Sequence, residues 1–281
     1  MRPPFPYFGG KMTIAPRIVD LLPPHHHYIE PFAGSMSVLL AKPPVKFETV
    51  NDLDERLITF WRVLREQPGE LIRRCALSPH SRAEYLRCRN EPTAGNDLET
   101  ARRTWVILSQ GRAGQLGSRK TGWKHYVDPH GSTIGMPAYL EAYVDRMAPV
   151  VERLHGVSLE SMPALDLIAK YGQHADSLLY VDPPYLGTAR ASNNNEYEWE
   201  MREPAEHRDL AAALHNAAAA VVLSGYHSPL YDELYADWDR VSLPAATGNA
   251  TPGRQARTEV LWSNRPLHLE ARLFDMPGGG P

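Results

Sequence analysis

The stretch LLYVDPPY, residues 178–185, decides how the rest of the chain is read. An uncharged run climbs to Asp182, and the next two residues are prolines, which lack a backbone N–H and hold φ fixed. Continuous apolar runs of this length mark strands covered on both faces, as in parallel sheets. An acid opening an ordinary turn is the competing explanation, so the rest of the sheet has to decide between them.

Upstream, residues 27–29 read as a short strand. The turn EPFAGS at 30–35 then opens a helix that runs to residue 40. Residues 47–50 form a second strand ending at Asn51 and Asp52, followed by a helix whose apolar positions are Leu53, Leu57, Phe60, Trp61 and Leu64. Downstream, strands are expected at 157–160, 221–226, 240–243 and 259–262, with helices at 163–170, 206–217 and 230–235. A further short helix is expected at 13–22. Strand, glycine turn, helix, strand and acid open a Rossmann-like α/β sheet. Residues 68–149 break this rhythm with helical patterns at 81–87 and 98–109 and a glycine-rich tract. The expected division is therefore 1–67 and 150–281 as two parts of one α/β domain, with 68–149 as a mostly helical insert.

At 281 residues the chain is long enough for such a core plus an insert. A net charge of -3 gives no overall signature of nucleic-acid binding, so a basic patch has to be sought locally. Two cysteines, Cys75 and Cys88, have neither disulfide-framework nor zinc-ligand spacing. No apolar run approaches the roughly 20 residues of a membrane span. A soluble, cytoplasmic protein is the expectation.

Ligands of open parallel sheets sit outside the carboxyl ends of the strands. Glu30, Asn51, Asp52, Glu160, Asp182 and Ser224 all fall there. Gly34 lets the backbone approach a ligand closely, and Asp52 could accept both hydroxyls of a ribose or could cap the helix after it. Lys11, in the segment FGGK, could meet a ligand carboxylate or remain solvated. Neither the phosphate-cradling GxxxxGK[ST] pattern nor the three-glycine dinucleotide pattern is present. An amino-acid-like group joined to a ribose, as in S-adenosyl-L-methionine, suits these residues better than a phosphorylated cofactor.

In this order FPYFGGK, IEPFAGSMSVL, VNDLDERLITFWRVLR, YVDPPYLG, LSGYHSPLYDELY and TEVLWSN resemble the D12 class of adenine-N6 DNA methyltransferases, the Dam-type family, and especially its phage and prophage members. The resemblance covers most of the chain outside the insert. It implies cofactor contacts from Tyr7, Lys11, Glu30, Pro31, Phe32, Ala33, Gly34, Asp182 and Glu160, and ribose binding by Asp52. Where Dam-type enzymes have a lysine and tryptophan, this chain has Tyr7 and Phe8; where they have an aspartate and an aromatic, it has Glu160 and Ser161. The reaction implied is methyl transfer from S-adenosyl-L-methionine to a flipped adenine in double-stranded DNA, with no metal ion.

The motif DPPY suits that chemistry. An exocyclic adenine amine is a poor nucleophile because its lone pair is delocalised, so acceptors must engage its hydrogens as charge develops. Asp182 can accept one N–H and a carbonyl of Pro183 or Pro184 the other, while Tyr185 can stack on the extruded base. Cytosine N4 presents the same problem, so cytosine-N4 or RNA methylation, and a catalytically silent DNA-binding module, remain alternatives.

Between residues 102 and 124 the chain carries Arg102, Arg103, Arg112, Arg119, Lys120 and Lys124 with no acid among them. Glycines and the aromatic residues Trp105, Trp123, His125 and Tyr126 are interleaved, as at DNA surfaces; a solvated basic surface is the competing explanation, and Trp105 fits a core better than an interface. In its placement between the cofactor half and the DPPY half, the insert resembles the family's target-recognition region. Arg112, Arg119, Lys120, Lys124, Asn194, Tyr197 and Arg254 are the expected DNA contacts. A monomer or weak dimer, paired in the cell with a restriction endonuclease, completes the expectation.

Overall fold

The computed structural model describes residues 1–117, 122–125, 135–186, 201–244 and 258–267. Its centre is a seven-stranded sheet formed by β1 (His27–Glu30), β2 (Phe47–Asn51), β3 (Val157–Glu160), β4 (Ser177–Val181), β5 (Ala220–Tyr226), β6 (Asp239–Pro244) and β7 (Thr258–Ser263). The strand order is β3-β2-β1-β4-β5-β7-β6. The pairs among β1 to β5 are parallel, while β7 runs antiparallel to both β5 and β6. Strand order reverses between β1 and β4, which places the ligand crevice at their carboxyl ends. All five residues of β4 are buried, in keeping with the uninterrupted apolar run.

The period of two along the strands divides the core between the two faces of the sheet. Tyr28, Leu178, Tyr180, Val222 and Leu261 enter one cluster, and Ile29, Leu179, Val181, Leu223 and Trp262 the other. The second face is covered by α9 (Ala164–Tyr171), α10 (Pro204–His215) and α11 (Pro229–Leu234), through Leu167, Leu210, Leu214 and Tyr231. The first is covered by α1 (Ala15–Val19), α2 (Ser37–Ala41) and α3 (Glu55–Glu66).

The crossover from β2 to β3 contains, besides α3, the helices α4 (Pro68–Ala76), α5 (Arg82–Asn90), α6 (Asp97–Gln110), α7 (Met136–Val144) and α8 (Met147–Leu154). Ser81 and Asn96 cap α5 and α6 by accepting the N–H groups of Glu84 and Glu99. Sequence pattern marks α5 and α6 but not α4, α7 and α8. Pro68 explains the first omission: it reads as a break but occupies the first turn of a helix, where its missing N–H is harmless. α6 packs along α3, and Trp105 is fully buried with its Nε1 donating to the Pro4 carbonyl at 2.9 Å. The tryptophan therefore belongs to the core, where truncation to alanine costs about 3–5 kcal/mol.

Two arginines of the sequence-defined basic patch are neutralised within the helices. Arg102 is buried and donates to Glu99 at 2.6 Å and to Glu84 at 2.7 Å. Arg103 donates to Glu99 at 3.0 Å and to the Glu91 carbonyl at 2.6 Å. The acids lie earlier in the chain than the basic run, and helix packing brings them back to it.

Candidate active site

The carboxyl ends of β1, β2 and β4 open onto a cavity of about 350 Å³. Tyr7, Lys11, Glu30, Pro31, Phe32, Ala33, Gly34, Asp52, Asp182 and Pro184 line it, so one hollow gathers most of the residues expected from the sequence. Glu160 is not among its lining residues. Its carboxylate accepts from the Tyr171 hydroxyl at 2.7 Å and from Lys170 Nζ at 3.0 Å, pairs that hold its pKa below the usual value. Met162 to Leu165, just beyond it, form that wall instead.

The turn after β1 is built around Gly34. Its φ of +48° is a left-handed conformation, and a Cβ added there would lie 2.7 Å from Cε1 of Tyr7. The Gly34 N–H donates to Asp52 Oδ2 at 2.8 Å, and the Asp54 N–H donates to Asp52 Oδ1 at 2.9 Å. Asp54, not Asp52, caps α3, through the Arg56 N–H. Asp52 is thereby left aimed into the cavity by two backbone amides. Burial pushes its pKa up to about 6 against the pull of those amides.

Glu30 is also buried, and its Oε1 accepts from the Tyr28 hydroxyl at 2.7 Å and the Leu39 N–H at 2.8 Å. Burial outweighs both bonds and raises its pKa to about 7. Asn51 ties the loops together by donating to the Pro31 and Met162 carbonyls, each at 3.0 Å, and accepting the Met162 N–H at 2.9 Å.

At the other end of the cavity Lys11 sits on the DPPY motif. Its Nζ donates to both oxygens of Asp182, at 2.7 and 2.6 Å, and to the Tyr185 hydroxyl at 2.5 Å. Burial by itself would lower the Lys11 pKa, but the Asp182 and Glu259 carboxylates reverse this and raise it. Burial raises the pKa of Asp182, opposed by Lys11 and reinforced by Glu259. The Tyr185 ring packs against that of Tyr226, with centroids 4.4 Å apart.

Glu259, at the start of β7, is a member of this cluster that the sequence reading did not single out. Ser224 Oγ donates to its Oε1 at 2.7 Å, and Tyr185 Oη does so at 3.3 Å. The available signal was an acid opening an otherwise apolar strand.

Of the expected DNA contacts, Arg112 is exposed and Lys124 half-buried, with Lys124 Nζ 3.9 Å from the centroid of the Tyr139 ring. Hydrogen bonds from Arg112 N to Gly122 O and from Lys124 N to Gln110 O place both at the end of α6. Beside them the Trp123 and His80 rings stack with centroids 4.3 Å apart. The other expected contacts, Arg119, Lys120, Asn194, Tyr197 and Arg254, lie outside the described residues.

The family model for "D12 class N6 adenine-specific DNA methyltransferase" matches residues 7–119 and 157–247, which take in the cavity and the DPPY motif. The chain belongs to this family. It is therefore a methyltransferase that acts on specific sites in DNA at adenine N6, which sets aside cytosine-N4 and RNA methylation.

Its curated relatives include the type II methyltransferase M1.LlaDCHI of Lactococcus lactis subsp. cremoris. That protein is 26% identical over 280 residues, covering 94% of this chain and 95% of its own length. A DNA adenine methylase of Vibrio cholerae is 25% identical over 198 residues, 67% of each chain. Among solved structures, the SAM-dependent methyltransferase of Agrobacterium tumefaciens aligns with 10% identity and a TM-score of 0.35, over 89% of this chain and 58% of that one. The fold of this D12 enzyme is read from its own strand order. No helix among its described residues is long and apolar enough to cross a membrane.

Proposed function

We propose that the cavity holds S-adenosyl-L-methionine and that Asp182 and the two prolines receive the target amine of an adenine turned out of double-stranded DNA. One observation carries this reading. Among the described residues, the charged groups lining the cavity are Glu30, Asp52, Asp54, Asp182, Glu206 and Asp209 against Lys11 alone. An acidic lining suits a ligand bearing an ammonium and a sulfonium and repels phosphates. Gly34 and the Tyr7 ring suit an amino-acid-like group, Glu30 its ammonium, and Asp52 the ribose hydroxyls. When bound, this cofactor supplies a methyl group on positively charged sulfur, which leaves as a neutral thioether.

The residues of the chain then do the remaining work. Asp182 accepts one N–H of the target amine, and the Pro183 or Pro184 carbonyl accepts the other. The nitrogen lone pair is freed for attack, the positive charge that develops is met by fixed dipoles, and the surplus proton leaves the nitrogen for solvent after methyl transfer. Pro183 and Pro184 keep the turn rigid, and Tyr185 offers a ring to the base. Arg112 and Lys124 meet the phosphate backbone, and the helical crossover carries target recognition. The enzyme works as a monomer or weak dimer, protecting DNA from a companion endonuclease.

The test is Asp182→Ala, assayed for methylated adenine in duplex DNA and for cofactor binding by calorimetry. Methylation should be lost while binding persists, and unchanged methylation would sink the assignment.

A further inference from the structure

The Lys11 ammonium stands where the target amine must go, since its N–H donors already engage both Asp182 oxygens. A neutral amine entering there competes with a charge-assisted pair. The ammonium therefore needs a second carboxylate within reach, and one is present. Glu259 Oε1 lies 3.5 Å from Lys11 Nζ, so a shift of less than about 1 Å brings the two to normal hydrogen-bonding distance.

The alternation along β7 makes the placement informative. Val260 and Trp262 enter one core cluster and Leu261 the other, so Glu259 shares the face of Leu261 and Tyr180. It is only 5% exposed, and a buried carboxylate on an apolar face is costly unless paired. Its partners are Ser224, Tyr185 and Lys11, all part of the catalytic cluster. Besides Glu259 itself, the titratable groups acting on Lys11 and Asp182 are Tyr180 and Tyr185 on or after β4 and Tyr231 on α11, with Glu30 on β1 beyond them.

We propose that Glu259 is a positioning residue that takes the Lys11 ammonium from Asp182 when the adenine amine arrives. It keeps the lysine charged and buried while Asp182 serves as the acceptor. No bond to Glu259 is made or broken in methyl transfer. The inference rests on Asp182 being the acceptor, which Asp182→Ala tests separately.

The experiment compares Glu259→Gln with wild type in single-turnover methylation of an adenine-containing duplex across pH, with cofactor binding as the control for folding. The rate should fall at least about tenfold, with KM for DNA within about twofold, because phosphate contacts dominate DNA affinity. Removing the Glu259 charge leaves Lys11 on Asp182, so the acid limb of the rate profile should move to lower pH by about half a unit or more. Adding Glu259→Gln to Lys11→Met should cost less than about twofold, because the residue acts through the lysine. Glu259→Asp keeps the charge and should hold the wild-type acid limb, which preserves the test if the glutamine variant fails to bind cofactor. A wild-type rate in Glu259→Gln, an unmoved acid limb, losses that add in the double variant, or an Asp variant with a shifted limb would each overturn the proposal.

Discussion

The Gly34 backbone and the Tyr7 ring are in contact through a gap that no β-carbon can enter, with the ring 2.7 Å from where one would stand. Gly34→Ala adds a left-handed backbone penalty of about 1–2 kcal/mol to the displacement of Tyr7. Calorimetry should show S-adenosyl-L-methionine affinity reduced at least about tenfold, with the fold retained by circular dichroism. Wild-type affinity in this variant would remove the turn from the cofactor site.

Glu30 and Asp52 should make the ligand-free protein less stable as pH rises. Both folded pKa values lie above the ordinary carboxylate range, so the folded state binds the extra protons. The stability they contribute is complete below about pH 4 and is lost as pH climbs through about 6 and 7. Glu30→Gln should therefore raise urea stability at pH 8 by roughly 1–3 kcal/mol and leave it unchanged near pH 4, while weakening cofactor binding. A stability gain that does not vary with pH would contradict this cause.

The hydroxyl and the ring of Tyr185 should separate by substitution. Tyr185→Phe loses the bonds to Lys11 and Glu259 but keeps the ring face, and should cost no more than about tenfold in kcat. Tyr185→Ala should cost at least about a hundredfold, because base stacking is worth roughly 1–3 kcal/mol in addition. Equal losses in the two variants would show that the ring does not meet the base.

Arginines adjacent in sequence should behave in opposite ways. Arg102→Ala should lower stability by about 1.5–3 kcal/mol in denaturant melts, since it removes a buried guanidinium that bridges Glu84 and Glu99 and leaves Glu84 to Arg87 and Glu99 to Arg103. Arg112→Ala should leave stability within about 0.5 kcal/mol and flatten the dependence of DNA affinity on log salt by about one. A DNA-binding defect in a fully folded Arg102→Ala protein would return that residue to the interface.

The strand ends were legible because the sheet imposes them. LLYV must be a buried strand, and Asp182 must then emerge at its carboxyl edge next to Glu30 and Asp52. What a linear reading could not supply was pairing across distance. Lys11 and Asp182 stand 171 residues apart, and the sequence offers the lysine no reason to choose that carboxylate over solvent. Glu259 was missed because a single acid at a strand start is indistinguishable from a solvated edge until β7 is placed beside β5. The basic run was over-read for the converse reason: charges counted along the chain do not include the acids that α5 and the first turn of α6 bring back to Arg102 and Arg103. Asp52 looked as fit to cap a helix as to bind a ribose, and only the position of Asp54 decides that the cap lies elsewhere.

Residues 111–117 leave α6, the helix that packs along α3, and run directly against the segment that carries Lys11. The Phe8 N–H donates to the Gly114 carbonyl at 2.9 Å, and Gly114, at φ +60°, leaves no room for a side chain against the Pro6 carbonyl. Arg56 and Arg89 hold the same tract through the carbonyls of Leu116, Gln115 and Gly117. The helical crossover is therefore not an exchangeable cassette. A chimera in which residues 68–149 are exchanged whole would also replace the backbone brace of the FGGK loop, and such a graft should fold and bind cofactor only where this seven-residue strap stays native.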